Sequence, residues 1–509
     1  MNTFVNTLSN ETNFARTENG ALTHKTTNSA VYDMFAFGGA YRSRSEADCI
    51  FLFKKAYEED RNLALKCLFY LRDVRGGGQG ERRFFRVCFH WLANNDSSVA
   101  EKLLEQISEY GRWDDLIYVS VNTRVEKSMI AIIKKQLALD IQSKTPSLLA
   151  KWMPSENASS KTTKVIANKI RNQLGWSHKQ YRKILSDLRA RINIVERLMS
   201  ENRWDEIEFD KIPSKAGLIY KNAFARRDII AKKYENFIKD DKTKVNANTL
   251  YPYEIVEKAI KLGGDYRYSY RYAPSDVDVN NVDRLAINKY WANLPDYLEG
   301  NPCSMMCVVD TSGSMYGRPI NVAISLGLYC AERIGEPFKN HYISFSSKPN
   351  FIKTDGIDFV DKVHRIYRTN LCENTNIEAT FNLLKKAALD KNVKKEDIPK
   401  TLVIISDMEI DYMSYTNVRN SEMRRWTRET SATEMERIRA DWEASGLECP
   451  KLVYWNVNAR NDNILDAGPN VSFVSGCSPI IFKQVLTGVT GYELMLKTLL
   501  SERYDAITA

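Results

Sequence analysis

The sequence predicts an α plus α/β architecture, in which an array of helical hairpins is followed by a doubly wound, mostly parallel sheet of the Rossmann-like kind. Three observations carry this. Five apolar residues, Met305-Met306-Cys307-Val308-Val309, are bounded by polar and turn residues and read as a strand buried on both faces. Beyond them, strand and helix patterns alternate, as in a parallel sheet with helical crossovers. From Glu46 up to that point, apolar residues instead recur with the helical period.

Length and composition bound the rest. A chain of 509 residues, 43% hydrophobic and 27% charged, can bury the cores of several globular domains. No run approaches the roughly 20 apolar residues of a membrane helix, and the first 20 residues lack the apolar core of a secretory signal. Nine scattered cysteines without a C-x-x-C, together with five dispersed histidines, argue against zinc and for a reducing, intracellular, cytoplasmic setting. Residues 1–300 carry 48 Lys and Arg against 38 Asp and Glu, whereas residues 301–509 carry 25 against 26. The basic excess thus lies in the helical part, as expected if that part meets a polyanion. The expected division is an extended lead-in over 1–45, a helical-repeat domain over 46–300 and an α/β domain over 301–509.

In the helical part, Ile50, Phe51, Phe53, Ala56 and Tyr57, then Leu63, Leu65, Leu68 and Phe69, read as two packed helices. Arg75-Gly76-Gly77-Gly78-Gln79-Gly80-Glu81-Arg82 joins the second to a third. No strand precedes this loop and no G-K-[ST] follows it, so it reads as a helix–helix turn rather than a phosphate cradle. Arg112-Trp113-Asp114 and Arg203-Trp204-Asp205 form a partial echo at matching helix starts, the kind of signal left by stacked hairpins; coincidental capping is the other reading. Residues 161–200 are the most basic window, with ten Lys and Arg against Asp187 and Glu196. Residues 178–199 read as one amphipathic helix, with Tyr181, Ile184, Leu185, Leu188, Ile192, Val195 and Leu198 on its apolar side. Lys161, Lys164, Lys169, Arg171, Lys179, Arg182, Lys183 and Arg189 are the candidate phosphate contacts, nominated from charge alone; a solvated helix face is the alternative for any one of them. Tyr266–Tyr272, with alternating aromatics and arginines, reads as a base-stacking segment or an ordered linker.

In the α/β part, strands are expected over 305–309, 342–345, near 351, and over 402–406, 452–456 and 471–474. Asp310-x-Ser312-x-Ser314 follows the first strand at once, and Pro319 marks the start of a helix. These side chains therefore stand at the carboxyl end of a strand, where open α/β sheets place their ligand crevice. One carboxylate and two hydroxyls are hard oxygen donors suited to Mg²⁺ or another hard divalent cation. Asp407 ends the 402–406 strand, and Thr375 precedes a helix from Ile377. Glu409 and Asp411 are expected as solvated or outer charges. The other reading of the D-x-S-x-S turn is a helix cap without a cation.

Asp310, Ser312, Ser314, Thr375 and Asp407 together resemble the metal-ion-dependent adhesion site of von Willebrand factor A domains, although Asn374 stands where that family often has glycine. A basic helical part before such a domain resembles the TROVE-module proteins typified by the Ro ribonucleoproteins, and more closely an uncharacterised family of plants and large DNA viruses. The stretches that carry the resemblance are R-G-G-G-Q-G-E-R (75–82), G-R-W-D-D-L (111–116), L-L-A-K-W-M-P-S (148–155), I-P-S-K-A-G (212–217), Y-P-Y-E-I (251–255), V-V-D-T-S-G-S-M (308–315) and I-S-D-M-E (405–409). The resemblance implies a horseshoe or ring of HEAT-like hairpins joined to the A domain. It also implies binding of structured or single-stranded non-coding RNA, and no catalysis.

The expected function is RNA binding, with a metal site that takes a partner's carboxylate. The rival is a protein–protein scaffold that uses the same site without RNA. A hydrolytic or phosphoryl-transfer enzyme is disfavoured, because no histidine or lysine base lies near the aspartates in sequence.

Overall fold

The computed structural model describes residues 13–192, 194–262, 278–299, 304–345, 349–368, 376–390, 393–410, 433–466, 468 and 470–509. They fall into two compact units. One comprises Met1–Ser45 with Leu250–Leu499, the other Glu46–Thr249 with Leu500–Ala509. A mostly helical region is thus followed by a mixed sheet of largely parallel strands. The boundaries differ from the expected ones at 300 and 509, since 250–299 group with the sheet and the last ten residues with the helices.

The helical unit is a succession of short helices with local stop signals. Asp60 caps helix Arg61–Arg72 by accepting from the Leu63 N–H at 2.9 Å. Ser160 caps Lys161–Leu174 in the same way, and Gly175, at φ 72°, ends that helix in the left-handed conformation. Phe69, Phe85, Phe89 and Tyr110 are buried together, with Phe69 edge-on to the other three at 5.3–6.1 Å. The 75–82 loop is a helix–helix turn, as its sequence predicts. Asp73 accepts from the N–H groups of Arg75 and Gly76, and a Cβ on Gly78 would lie 2.1 Å from the Tyr70 carbonyl oxygen.

Two expectations change here. The R-W-D echo is not structurally repeated: Trp113 opens helix Trp113–Ser120, whereas Trp204 opens a single 3-10 turn, Trp204–Glu206. The expected helix over 178–199 is two helices, His178–Ile192 and Val195–Ser200. Of their apolar residues, Tyr181, Leu185, Leu188, Val195 and Leu198 are buried and Ile184 and Ile192 half-buried, so the face was read correctly at its centre and the break was not.

In the other unit, β1 (Phe14–Arg16) and β2 (Leu22–His24) form an antiparallel hairpin. The main sheet contains β3 (Met305–Asp310), β4 (His341–Phe345), β5 (Asn350–Lys353), β6 (Thr401–Ser406), β7 (Lys451–Asn456) and β8 (Val471–Ser475). Its order is β5-β4-β3-β6-β7-β8, with β5 antiparallel and all other pairs parallel. β3, β6 and β8 are buried along their whole length, so both faces are covered. The chain leaves β3 toward β4 and later returns to β3's other side as β6. The carboxyl ends of β3 and β6 therefore form the topological switch point of the sheet.

Residues 13–45 are not an extended lead-in. Beyond the hairpin, helix Ala30–Phe37 packs on β8, where the Phe473 N–H donates to Tyr32 Oη at 3.0 Å. Its Val31, Met34, Phe35 and Phe37 are buried, and a helix this apolar must be covered. Helix Pro252–Lys261 packs on Arg318–Arg333 and Phe359–Arg368, which explains why the 250–299 segment groups with the sheet.

Candidate functional site

Parallel pairing of β3 and β6 aligns Val309 with Ile405, so Asp310 and Ser406–Asp407 emerge side by side. Ser406 Oγ donates to Asp310 Oδ2 at 2.5 Å, and the Ser312 N–H donates to Asp310 Oδ1 at 2.8 Å. Ser312 Oγ and Ser314 Oγ are 3.0 Å apart, and Ser314 Oγ donates to Asp407 Oδ1 at 3.3 Å. The tertiary structure thus brings together Asp310, Ser312, Ser314 and Asp407. Thr375 lies outside the described residues, as do Asp411 and Tyr266–Tyr272.

Asp310, Ser312 and Asp407 are buried and Ser314 is half-buried. Burial, reinforced by the Asp407 charge, pushes the Asp310 carboxyl up to about 7. Burial also raises Asp407 and Glu409. Of the two readings of Glu409, solvated or outer charge, the solvated one fails, and its N–H donates to Asp407 Oδ1 at 3.2 Å. Its side chain is fully buried and accepts from the Glu18 N–H at 2.7 Å, Asn461 Nδ2 at 2.9 Å and Asn463 Nδ2 at 3.0 Å.

Does this set fit a cation? Neighbouring ligands around an octahedral Mg²⁺ at 2.0–2.1 Å sit about 2.9 Å apart, and the Ser312–Ser314 and Ser314–Asp407 oxygens are spaced at 3.0 and 3.3 Å. Among the described residues no three His, Cys, Asp or Glu side chains converge, so a cation would depend on the two hydroxyls. The donors are hard oxygens, and the fit is to a hard divalent ion.

Sequence reasoning missed Arg460. Its Nη2 lies 3.2 Å from Asp407 Oδ2 and its Nη1 2.9 Å from Glu18 Oε2. The signal was available in part, because Arg460 and Asn461 follow β7 at the same carboxyl edge of the sheet. For Glu18 there was none, since only the folding of the β1–β2 hairpin brings it here.

The eight nominated cations separate into two groups. Lys161, Lys164, Lys179, Arg182 and Lys183 are exposed on helices Lys161–Leu174 and His178–Ile192, which both pack on helix Glu126–Gln142. Of these, Arg182 makes only a loose 4.0 Å approach to Glu156 and a 3.3 Å bond to the His178 carbonyl. The other three are tied inward. Lys169 pairs with Glu126 at 2.7 Å, Arg171 with Glu156 at 2.8 Å, and Arg189 donates to the carbonyls of Ala150 and Met153 at 2.8 and 2.9 Å.

Comparison with known proteins divides the chain near residue 300. The model of the family described as Domain of unknown function (DUF2828) matches residues 17–124 and 124–300, more than half of the chain. The chain belongs to that family. In this DUF2828 protein a second model, Domain of unknown function (DUF7788), matches residues 304–498, the stretch that holds the main sheet. An uncharacterized protein of Acanthamoeba polyphaga mimivirus is 29% identical over 518 residues, covering 93% of this chain and 85% of the relative. Among solved structures, the Ro (RSR) protein of Deinococcus radiodurans matches with a TM-score of 0.47 and 12% identity, over 91% of this chain and 100% of that one. No described helix of this DUF2828 protein is long and apolar enough to cross a membrane.

Proposed function

We propose that this protein binds RNA through its helical unit and holds a divalent cation, Mg²⁺ by preference, at the sheet's switch point, where a partner's carboxylate would complete the coordination. In this reading the helices are HEAT-like hairpins and the sheet is a von Willebrand A-type domain. The strand order and the D-x-S-x-S loop support the latter. The observation that carries RNA binding is the exposed set Lys161, Lys164, Lys179, Arg182 and Lys183 on two successive helices that share one packing partner. Lysines free of internal partners are what phosphate neutralisation needs, and such binding weakens steeply with salt. Asp310, Ser312, Ser314 and Asp407 would hold the cation, with Thr375 as a fifth donor from the sequence pattern. No catalytic role is proposed.

Filter binding of a structured RNA and of a single-stranded RNA, each across a salt series, tests the first part. Retention at low salt that is lost on replacing the five exposed cations by glutamine supports it; no retention at low salt overturns it. The scaffold reading is favoured by one fact, that the oxygen cluster is the more completely built site. It predicts Mg²⁺-dependent capture of a protein partner, abolished by Asp310→Ala, without RNA.

A further inference from the structure

The oxygen cluster already has a cationic neighbour supplied by the chain itself. Arg460 spans two carboxylates: Nη2 reaches Asp407 Oδ2 at 3.2 Å and Nη1 reaches Glu18 Oε2 at 2.9 Å. The other Glu18 oxygen accepts from Asn461 Nδ2 at 3.3 Å. Glu18 belongs to the tight turn between β1 and β2, where Gly20 takes φ 90° and its N–H donates to the Thr17 carbonyl. That turn is fastened over the segment following β6. Thr17 Oγ1 donates to the Ile410 carbonyl at 2.7 Å, Asn19 Nδ2 to the Glu409 carbonyl at 2.8 Å, and the Glu18 N–H to Glu409 Oε2 at 2.7 Å.

A divalent cation on Ser312, Ser314 and Asp407 would place two positive charges beside this guanidinium, and the two cannot share Asp407 without repulsion. We propose that Arg460 and a divalent cation are alternative occupants of the Asp407 carboxylate, and that the Thr17–Gly20 turn acts through Glu18 as the latch that keeps Arg460 in place. Entry of the cation displaces Arg460 and loosens the turn; loss of the latch favours the cation. Linkage makes these two effects equal in free energy. The inference rests on reading the cluster as a cation site, and it adds how that site is regulated.

The test is Mg²⁺ titration calorimetry on the full chain and on Arg460→Gln and Glu18→Gln, with hydrogen exchange of the 16–20 amides measured with and without Mg²⁺. Arg460→Gln is expected to bind Mg²⁺ roughly 5- to 150-fold more tightly, the usual span of coupling between sites, and Glu18→Gln to shift the same way by less. Exchange over 16–20 is expected to speed up on Mg²⁺ addition in the wild type and to be fast already in Arg460→Gln. Binding by Arg460→Gln alone also supports the latch, as a site closed in the wild type. Equal affinities in wild type and Arg460→Gln, or unchanged exchange on Mg²⁺ binding, overturn the latch and leave the cation reading standing. Absence of Mg²⁺ binding in all three proteins overturns both.

Discussion

Arg72 donates two hydrogen bonds to one oxygen of Asp115, from Nε at 2.8 Å and Nη2 at 2.6 Å, and both side chains are buried. The second Asp115 oxygen accepts from Arg86 Nε at 2.7 Å, and the Arg112 N–H also donates to the first at 2.9 Å. Asp115, the residue that follows the first R-W-D stretch, is therefore an ionic hub joining three helices, more than a helix cap. Removing one partner of a buried pair leaves an uncompensated charge. Asp115→Ala should cost about 3–5 kcal/mol, read as a lower urea midpoint, whereas Glu206→Ala, at the matching but exposed place after the second R-W-D stretch, should change the midpoint little.

The exposed and inward-tied cations should behave differently. Replacing Lys161, Lys164, Lys179, Arg182 and Lys183 by glutamine should leave the urea midpoint near that of the wild type. The same change should reduce the slope of log affinity against log salt for single-stranded RNA by up to about 3.5, at about 0.7 per phosphate contact. An unchanged slope would remove these residues from the interface.

Arg189 should report on stability instead. Its guanidinium satisfies the carbonyls of Ala150 and Met153 and the Ser155 hydroxyl at 3.1 Å. Arg189→Ala leaves these acceptors short of donors and should destabilise by about 1–3 kcal/mol. RNA affinity, measured on the folded fraction, should be unaltered.

Cation binding should appear as stabilisation. Mg²⁺ at about 100 times its Kd should add about 2.7 kcal/mol to the unfolding free energy, seen as a rise in Tm that EDTA reverses. Asp310→Ala should abolish the rise. A rise that persists in Asp310→Ala would place the ion elsewhere.

One ion pair gives a pH dependence with a definite sign. Burial works to raise Asp358, but the hydrogen bonds from Arg284, at 2.7 and 2.9 Å, together with those from the Asp361 N–H and Asn288 and with the Arg284 charge, outweigh it and hold the carboxyl below its usual value. A depressed folded value means stability that is fully present above the unfolded value, about 3.9, and lost as pH falls through the folded one. The destabilisation caused by Asp358→Asn should therefore be largest near neutrality and shrink below about pH 4. Urea midpoints of both proteins across pH 3–7 check this.

The sequence by itself determined what depends on short-range pattern. Strand positions in the sheet were legible because Met305–Asp310 and Thr401–Ser406 are buried end to end and bounded by polar residues. Asp310, Ser312 and Ser314 were legible because their spacing is local, and Asp407 because it ends a recognisable strand. Pattern could not show that the apolar stripe is carried on two helices, His178–Ile192 and Val195–Ser200, nor that the second R-W-D stretch is only a turn, since both outcomes hang on backbone geometry. Nor could it sort eight cations of similar appearance, because whether Lys169 faces Glu126 or solvent is settled by helix packing. Only the tertiary structure decided that a turn near the start of the chain, hundreds of residues away in sequence, lays Glu18 against Arg460 and Asp407. Such contacts leave no periodic trace, because they arise from where the folded elements meet and not from any repeat along the chain.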